Sequence, residues 1–372
     1  MIHIGMIAEF LRFGKKINFQ DYYFSIVKYS ATKFLKKSKK IEADFKIDII
    51  DLSYSTARTL CTYNLNKKEL YLDVIASLLS HLNFIDSSQT NFILSESRYS
   101  RLRDFSRSTR IGEMAQGINA LFVGKRLDYP YIIDFDLAKQ KTNNTLNIQT
   151  TGKAPDFLVV KRDLRTIGLF ESKGTMNGEV SGVRGYLSKA IQQIDAVHSP
   201  CFESNLPFCT KFEHNNDNNK LTNSNNKKSS INYGFIENVC TDVKNTSLLI
   251  KLHYASWFYL VGDFDRVNSI LNEGTMTTLE NDPNYTLDNT TDPQNPIYWV
   301  KNLDVVFSEN ELGFYVNYFM IFEHNDDIKI GIYKKVIDNL RSEEQSIFEF
   351  PEGETDYLRK YPDGTLIFIK ST

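Results

Sequence analysis

Residues 154–174 read APDFLVVKRDLRTIGLFESKG. Two β-rich apolar runs, FLVV and TIGLF, flank a charged turn, the pattern of two short strands joined in a hairpin. Asp156 opens the first strand, and Glu171, Ser172 and Lys173 close the second. Side chains of a strand alternate between faces, so Glu171 and Lys173 share a side with Ile167 and Leu169. Two carboxylates held close repel each other unless a divalent cation or a shared proton relieves them. Mg2+ suits an all-oxygen site that keeps waters and a substrate phosphate. An amine beside it can orient or deprotonate an attacking water. These are the parts that metal-assisted hydrolysis of a phosphodiester requires.

Pro155-Asp156 followed by Glu171-Ser172-Lys173 resembles the PD-(D/E)XK nuclease superfamily. The chain supplies its own control for so short a pattern. An acidic residue two before a lysine recurs at Asp44/Lys46, Asp242/Lys244 and Asp327/Lys329, and a second Pro-Asp at Pro362-Asp363. Only Pro155-Asp156 is followed at hairpin distance by such a pair, with apolar runs carrying both halves. The plainer alternative is a surface hairpin with an ordinary salt bridge.

The chain has 372 residues, 41% hydrophobic and 24% charged, with 26 Phe and 20 Tyr, an ordinary globular composition large enough for more than one domain. Its net charge of −2 excludes a global basic field, so any nucleic-acid contact falls to local patches. Cys61, Cys201, Cys209 and Cys240 lack CxxC spacing, which argues against a zinc ribbon and for reduced thiols. The opening MIHIGMIAEFLRFGKK carries its basic residues after the apolar stretch, the reverse of a signal peptide, and no apolar run reaches membrane-spanning length. The expected location is cytoplasmic, with no membrane partner.

Residues 1–95 are expected to form an N-terminal α/β region, with a possible role in target recognition. A helix is expected from Tyr22 or Tyr23, with Lys33, Lys36, Lys37, Lys39 and Lys40 crowding its end as either a phosphate-backbone patch or a solvated helix terminus. FKIDIIDLS reads as a strand and LYLDVIASLLSHLNFI as a helix, in which His81 is a packed or surface residue. In RYSRLRDFSRSTRIGEMAQGINALFV, Ile111, Met114, Ile118 and Leu121 share one helical face, with Glu113, Gly117 and Ala120 on a neighbouring one. Arg101, Arg103, Arg107 and Arg110 precede or begin this helix, and the planar guanidinium suits phosphate.

A strand is expected over 131–136, ending in the carboxylates Asp134 and Asp136, followed by a polar loop, KQKTNNTLNIQTTGK, and the motif hairpin. A helix over 185–198 buries Leu187, Ala190, Ile191, Ile194 and Val197 and leaves Gln192 and Gln193 less committed. Residues 199–232 read as a long Asn/Lys/Ser-rich insertion, a mobile loop with its disordered part near 210–231, before a strand over 233–240. Ser247–Gly262 reads as a buried helix in which His253 and Trp257 pack, FDRVNSILNEG as a short helix, and YLRKYPDGTLIFIK as a hairpin turning at Pro-Asp-Gly. The expected division is 1–95, a core over 96–265, and a C-terminal α/β region over 266–372.

The resemblance covers roughly 105–263 and implies the rest. The fold it implies is α/β, a restriction-endonuclease-like mixed central sheet flanked by helices, with the terminal regions added. Asp156 and Glu171 hold Mg2+, with Mn2+ as a substitute, and Lys173 acts on the attacking water. Glu113, on the helix before the first core strand, supplies a further acidic ligand; without the resemblance it is a surface glutamate in a first helical turn. Gln193 loosely matches a site-facing glutamine of some branches, though their following tyrosine is absent, and Gln192 or neither remain open. Gln193, Arg184, Arg107, Arg110, Lys36 and Lys37 are the candidate nucleic-acid contacts. The implied protein is a DNA endonuclease of restriction or phage-defence type acting on double-stranded DNA, as a homodimer or with a defence-system partner subunit. The alternatives are a catalytically inactive nuclease-fold DNA-binding or interaction subunit, and a nuclease acting on RNA or branched DNA.

Overall fold

The computed structural model describes residues 22–29, 38–65, 81, 84–86, 90–176, 180–215, 228–238, 246–301, 328–342, 346–347, 350 and 358–369. The chain divides into two compact units, one of Phe19–Tyr63 with Ala76–Leu249, the other of Met1–Asn18, Asn64–Ile75 and Ile250–Thr372.

The first unit is mixed α/β. Its elements in order are β1 (Tyr22–Tyr29), β2 (Ser38–Ile47), α1 (Ile49–Asn64), β3 (Leu94–Ser95), α2 (Glu96–Tyr99) and α3 (Asp104–Leu127), then β4 (Tyr131–Asp134), α4 (Phe135–Leu146), β5 (Gln149–Thr150), β6 (Phe157–Val160) and β7 (Ile167–Thr175). After these come α5 (Val180–Asp195), β8 (Val197–His198), β9 (Phe202–Lys211), β10 (His214–Asn215), β11 (Ser230–Gly234) and β12 (Ile236–Glu237). The central sheet runs β2-β1-β11-β9-β7-β6-β4, with β12 also on β9. It is mixed: β7 lies parallel to β9 and β1 to β11, while the other pairs are antiparallel.

The motif hairpin, β6–β7, lies inside the sheet between β9 and the β4 edge, where it is buried on both faces. All four residues of β6 are buried, as are the first six of β7. An aromatic row crosses one face: Phe157 stacks on Phe170 at 5.5 Å, Phe170 meets Phe208 edge-on at 5.5 Å, and Phe208 stacks on Tyr233 at 5.3 Å. Phe122 of α3 closes on this row, 5.9 Å from Phe208 and 5.3 Å from Tyr233. Such neighbours across strands supply both area and geometry. The helix can come this close because the penultimate residue of β7 is glycine. A Cβ on Gly174 would lie 2.4 Å from the Ile111 carbonyl oxygen and 2.9 Å from Ala115 Cβ. On the other face, Val183, Leu187 and Ile191 of α5 pack against Cys209, which is Lys173's neighbour in the parallel register.

Several expectations give way here. The helix expected from Tyr22 is instead strand β1, and Lys39 and Lys40 lie on β2, the edge of the sheet. Alternating residues such as Phe45, Ile47 and the exposed Lys46 suit a half-covered strand better than a helix. The break expected near residue 95 therefore falls inside one unit, since β1 and β2 complete the core sheet. The strand expected in FKIDIIDLS stops at Ile47, and α1 begins at Ile49 with the Asp48 carboxylate accepting from the Asp51 N–H at 2.7 Å. Asp134 does the same for α4, accepting from Leu137 N–H at 2.7 Å, so the strand expected to Asp136 ends two residues sooner and the polar segment after it is helical as far as Leu146. The stretch read as an insertion contributes β9 to the middle of the sheet, beside β7. Phe202–Lys211 alternates buried with half-buried residues at its start and is buried throughout its middle. Helix α5 starts at Val180 and stops at Asp195, earlier at both ends than expected.

The second unit holds an antiparallel sheet of β13 (Tyr285–Asp288), β14 (Ile297–Val300), β15 (Ile328–Tyr333), β16 (Leu358–Lys360) and β17 (Thr365–Ile369), in the order β13-β14-β15-β17-β16. The expected final hairpin is β16–β17, paired antiparallel. Helix α6 (Ser247–Leu260) spans the boundary between the units, and α7 (Phe264–Glu273) and α8 (Lys334–Arg341) belong to the second. Among the described residues no helix is long and apolar enough to cross a membrane.

Candidate active site

The antiparallel register pairs Phe157 with Phe170, which leaves Asp156 and Glu171 abreast one step further on. Their backbones and side chains interlock. The Asp156 N–H donates to Glu171 Oε2 at 2.7 Å, and the Ser172 N–H donates to Asp156 Oδ2 at 3.2 Å. Lys173 Nζ pairs with Glu171 Oε1, and its side chain is 19% exposed while that of Glu171 is fully buried. The cluster therefore has a dry acid at its base and an amine reaching toward solvent.

Burial sets the electrostatics. It pushes the Glu171 carboxyl up to about 7, with the facing Asp156 charge adding to the rise and Lys173 opposing it. Burial also raises Asp156, against Lys173, the Ser172 N–H, Lys153 and a hydrogen bond from the Gln116 side chain. Asp134, at the end of β4, is pushed up to about 6, chiefly by burial, with the Asp136 and Asp156 charges contributing. Proton affinity is thus raised in the two hairpin acids and in Asp134 at the end of the neighbouring strand, and functional sites are where such shifts cluster.

Helix α3 holds the hairpin from one side. Asn119, fully buried, donates to Ser172 Oγ at 2.8 Å and accepts from Thr210 Oγ1 at 2.6 Å, tying α3 to β7 and β9 through one amide. Gln116, one turn before, reaches Asp156. From α5, the Gln193 amide donates to the Ala154 carbonyl at 2.9 Å and fixes the approach to Asp156. Gln192 is exposed.

The structure places the expected residues unequally. Asp156, Glu171 and Lys173 come together. Glu113 instead accepts from His81 at 2.6 Å and from Arg110 at 3.1 Å. His81 is buried, and desolvation lowers its basicity despite that glutamate. Among the described residues no group of three or more His, Cys, Asp or Glu side chains converges as a cation site. Arg107 is spent on the Leu102 and Ser100 carbonyls, each at 2.7 Å, and on the face of Tyr99. Arg184 is exposed on α5. Lys36 and Lys37 lie outside the described residues.

Gln116, Asn119 and the Ser172 hydroxyl were missed by sequence reasoning because none carries a charge. The available signal was spacing, since Gln116 stands one helical turn after Glu113 and Asn119 one turn after that. No family model, no curated protein and no solved structure matches the chain.

Proposed function

We infer that the hairpin site is a divalent-cation-dependent phosphodiesterase centre acting on nucleic acid, of the PD-(D/E)XK kind its motif resembles. The observation that carries this reading is the buried pair of carboxylates, Asp156 and Glu171, abreast on one hairpin with Lys173 beside them. A pair of buried acids with raised proton affinity is an oxygen-donor set that a hard cation relieves. Two carboxylates, completed by waters and a substrate phosphate, are the usual protein share of a Mg2+ site. The donor set fits, and no third acidic ligand is needed.

In this reading Asp156 and Glu171 would hold Mg2+, or Mn2+ in its place. The bound cation supplies charge neutralisation at the scissile phosphate. Asp156 is kept in one orientation by the Ser172 N–H and the Gln116 amide. Glu171 is kept by the Asp156 N–H. Lys173, the member of the triad that reaches solvent, would orient the attacking water and set its positive charge beside the phosphate as negative charge develops there. Double-stranded DNA, cut internally, is the first substrate to try. Purified protein incubated with plasmid, linear duplex and single-stranded DNA, with Mg2+, Mn2+ or EDTA, tests the reading. Cation-dependent cleavage abolished in Glu171→Ala is the expected result. Absence of both cleavage and Mn2+ binding by calorimetry overturns it.

A further inference from the structure

Helix α3 extends beyond the sheet it packs on. Its Asn119 meets Ser172, and its Ile111 and Ala115 meet Gly174 near the end of β7, so the turns before Ile111 have left the motif strand behind. Phe105 stands on that overhang and is 84% exposed. Eleven residues are about three helical turns and about 16 Å of rise, so Phe105 and Gln116 lie on one face of a straight rod. Gln116 is the residue that reaches Asp156. Between them the same face carries Thr109, which is exposed, and Gly112, around whose built Cβ nothing lies within 4 Å. A track with no large side chain on it, exposed at Thr109 and half-buried at Gly112 and Gln116, thus runs from an exposed phenyl ring toward the carboxylate pair. Arg101 and Arg103, both exposed, flank its outer end, and Asp104 is the sole acid between 98 and 110.

We propose that this track binds an unpaired segment of the nucleic-acid substrate, with Phe105 stacking on a base and Arg101 and Arg103 holding its phosphates. The charge of the flank fits a polyanion, and a lone exposed phenyl offers a base its flat face, which duplex DNA does not present at its surface. The rigid helix fixes the distance from the stacked base to the scissile bond. The substrate class is then a duplex with a single-stranded tail or flap, cut a few nucleotides from the stacking point. This rests on the hairpin being the catalytic site.

The test compares a blunt DNA duplex with the same duplex carrying a short tail that contains 2-aminopurine, with Ca2+ replacing Mg2+ for binding. The wild type is expected to prefer the tailed duplex and to quench the aminopurine. Phe105→Ala should weaken tailed binding at least about fivefold, the low end for loss of one base stack, remove the quench and leave blunt binding unchanged. Arg101→Ala with Arg103→Ala should weaken binding and flatten its salt dependence. Equal affinity of the wild type for both duplexes, or an equal loss on both in Phe105→Ala, overturns the proposal. So does a Phe105→Ala change in self-association by light scattering with no change in DNA binding. Cleavage without any dependence on Phe105 removes this proposal and spares the nuclease reading. A Phe105-dependent tail preference without cleavage under any cation removes the nuclease reading and leaves the stacking track standing.

Discussion

Two buried clusters in this molecule hold the same formal charge, two carboxylates and one base, and differ in where the base sits. In the second unit, Arg266 lies between its acids: one guanidinium nitrogen pairs with Asp263, the other reaches Asp282 at 2.6 Å and the Thr278 carbonyl at 2.8 Å. Tyr285 adds its hydroxyl to Asp263 at 2.7 Å and its ring lies 5.2 Å below the guanidinium. At the hairpin, Lys173 pairs directly with Glu171 and reaches Asp156 only through its field, and the two carboxylates are left facing each other. A planar fork can serve two acids at once, whereas an ammonium is a compact point charge. The first cluster is closed and reads as a brace. The second keeps a demand for positive charge that a cation would meet.

The largest expected effect separates the two by activity. Asp156→Ala and Glu171→Ala should each lower cation-dependent cleavage by about two to three orders of magnitude or more. Lys173→Ala should cost about 10²–10⁴ in rate while Mn2+ still binds by calorimetry. The next effect separates them by stability. Arg266→Ala leaves buried acids without their base and should cost about 3–5 kcal/mol in urea unfolding. Glu171→Ala should leave stability unchanged or higher, since it removes crowded charge. If Glu171→Ala destabilises as Arg266→Ala does, Glu171 is a brace too and the contrast fails.

What was legible in the sequence follows the same divide between local and tertiary causes. The hairpin could be read because its signals are local: two apolar runs, a charged turn and carboxylates placed by strand alternation. The final hairpin was legible for the same reason, at its Pro362-Asp363-Gly364 turn. Strand β9 could not be read as central. Its polar members, Ser204 and Thr210, are satisfied by Tyr129 and Asn119 from other elements, and nothing local announces those partners. Strand β1 was misread because YYFSIVKY carries enough apolar residues for either period, and its pairing with β11 joins positions 205 residues apart in sequence, as Ser25 with Ser230. The partners of Glu113 were not legible either. Its carboxylate is engaged by His81, a residue 32 positions away whose approach depends on the fold.

A smaller effect appears in the pH dependence of the metal-free protein. Glu171 binds its proton more tightly folded, at about 7, than at its ordinary 4.5. The folded state therefore holds more protons between those values, so stability falls as pH rises from about 4.5 to about 7 and is flat above. The Glu171 share is on the order of 3 kcal/mol. Glu171→Gln should remove most of that slope in EDTA-treated protein followed by urea midpoints. Asp134, pushed up to about 6, keeps a smaller slope of the same sign. Calorimetry of Mn2+ binding in two buffers at pH 6 should show the complement, release of roughly one proton per ion as the acids give up what they held. No proton release would mean that Mn2+ does not go to the carboxylate pair.

The smallest expected effect tests whether α3 serves the site through Gln116. Its amide donates to Asp156, a neutral donor on a charged acceptor, and it stands where the track along α3 meets the hairpin. Gln116→Ala removes one of the donors that orient Asp156, and a net hydrogen bond of about 1 kcal/mol corresponds to a roughly fivefold loss of Mn2+ affinity. Gln116→Glu should act with opposite signs in the two states. Without metal it sets a third carboxylate against Asp156 and lowers stability above neutral pH. With metal it offers one more oxygen anion and raises Mn2+ affinity above that of the wild type. A side chain that merely packed would shift the melting temperature in both variants and leave the affinity alone. Opposite responses in the metal-free and metal-bound protein can arise only if position 116 faces the cation, which places the helix's working residue one turn beyond Glu113.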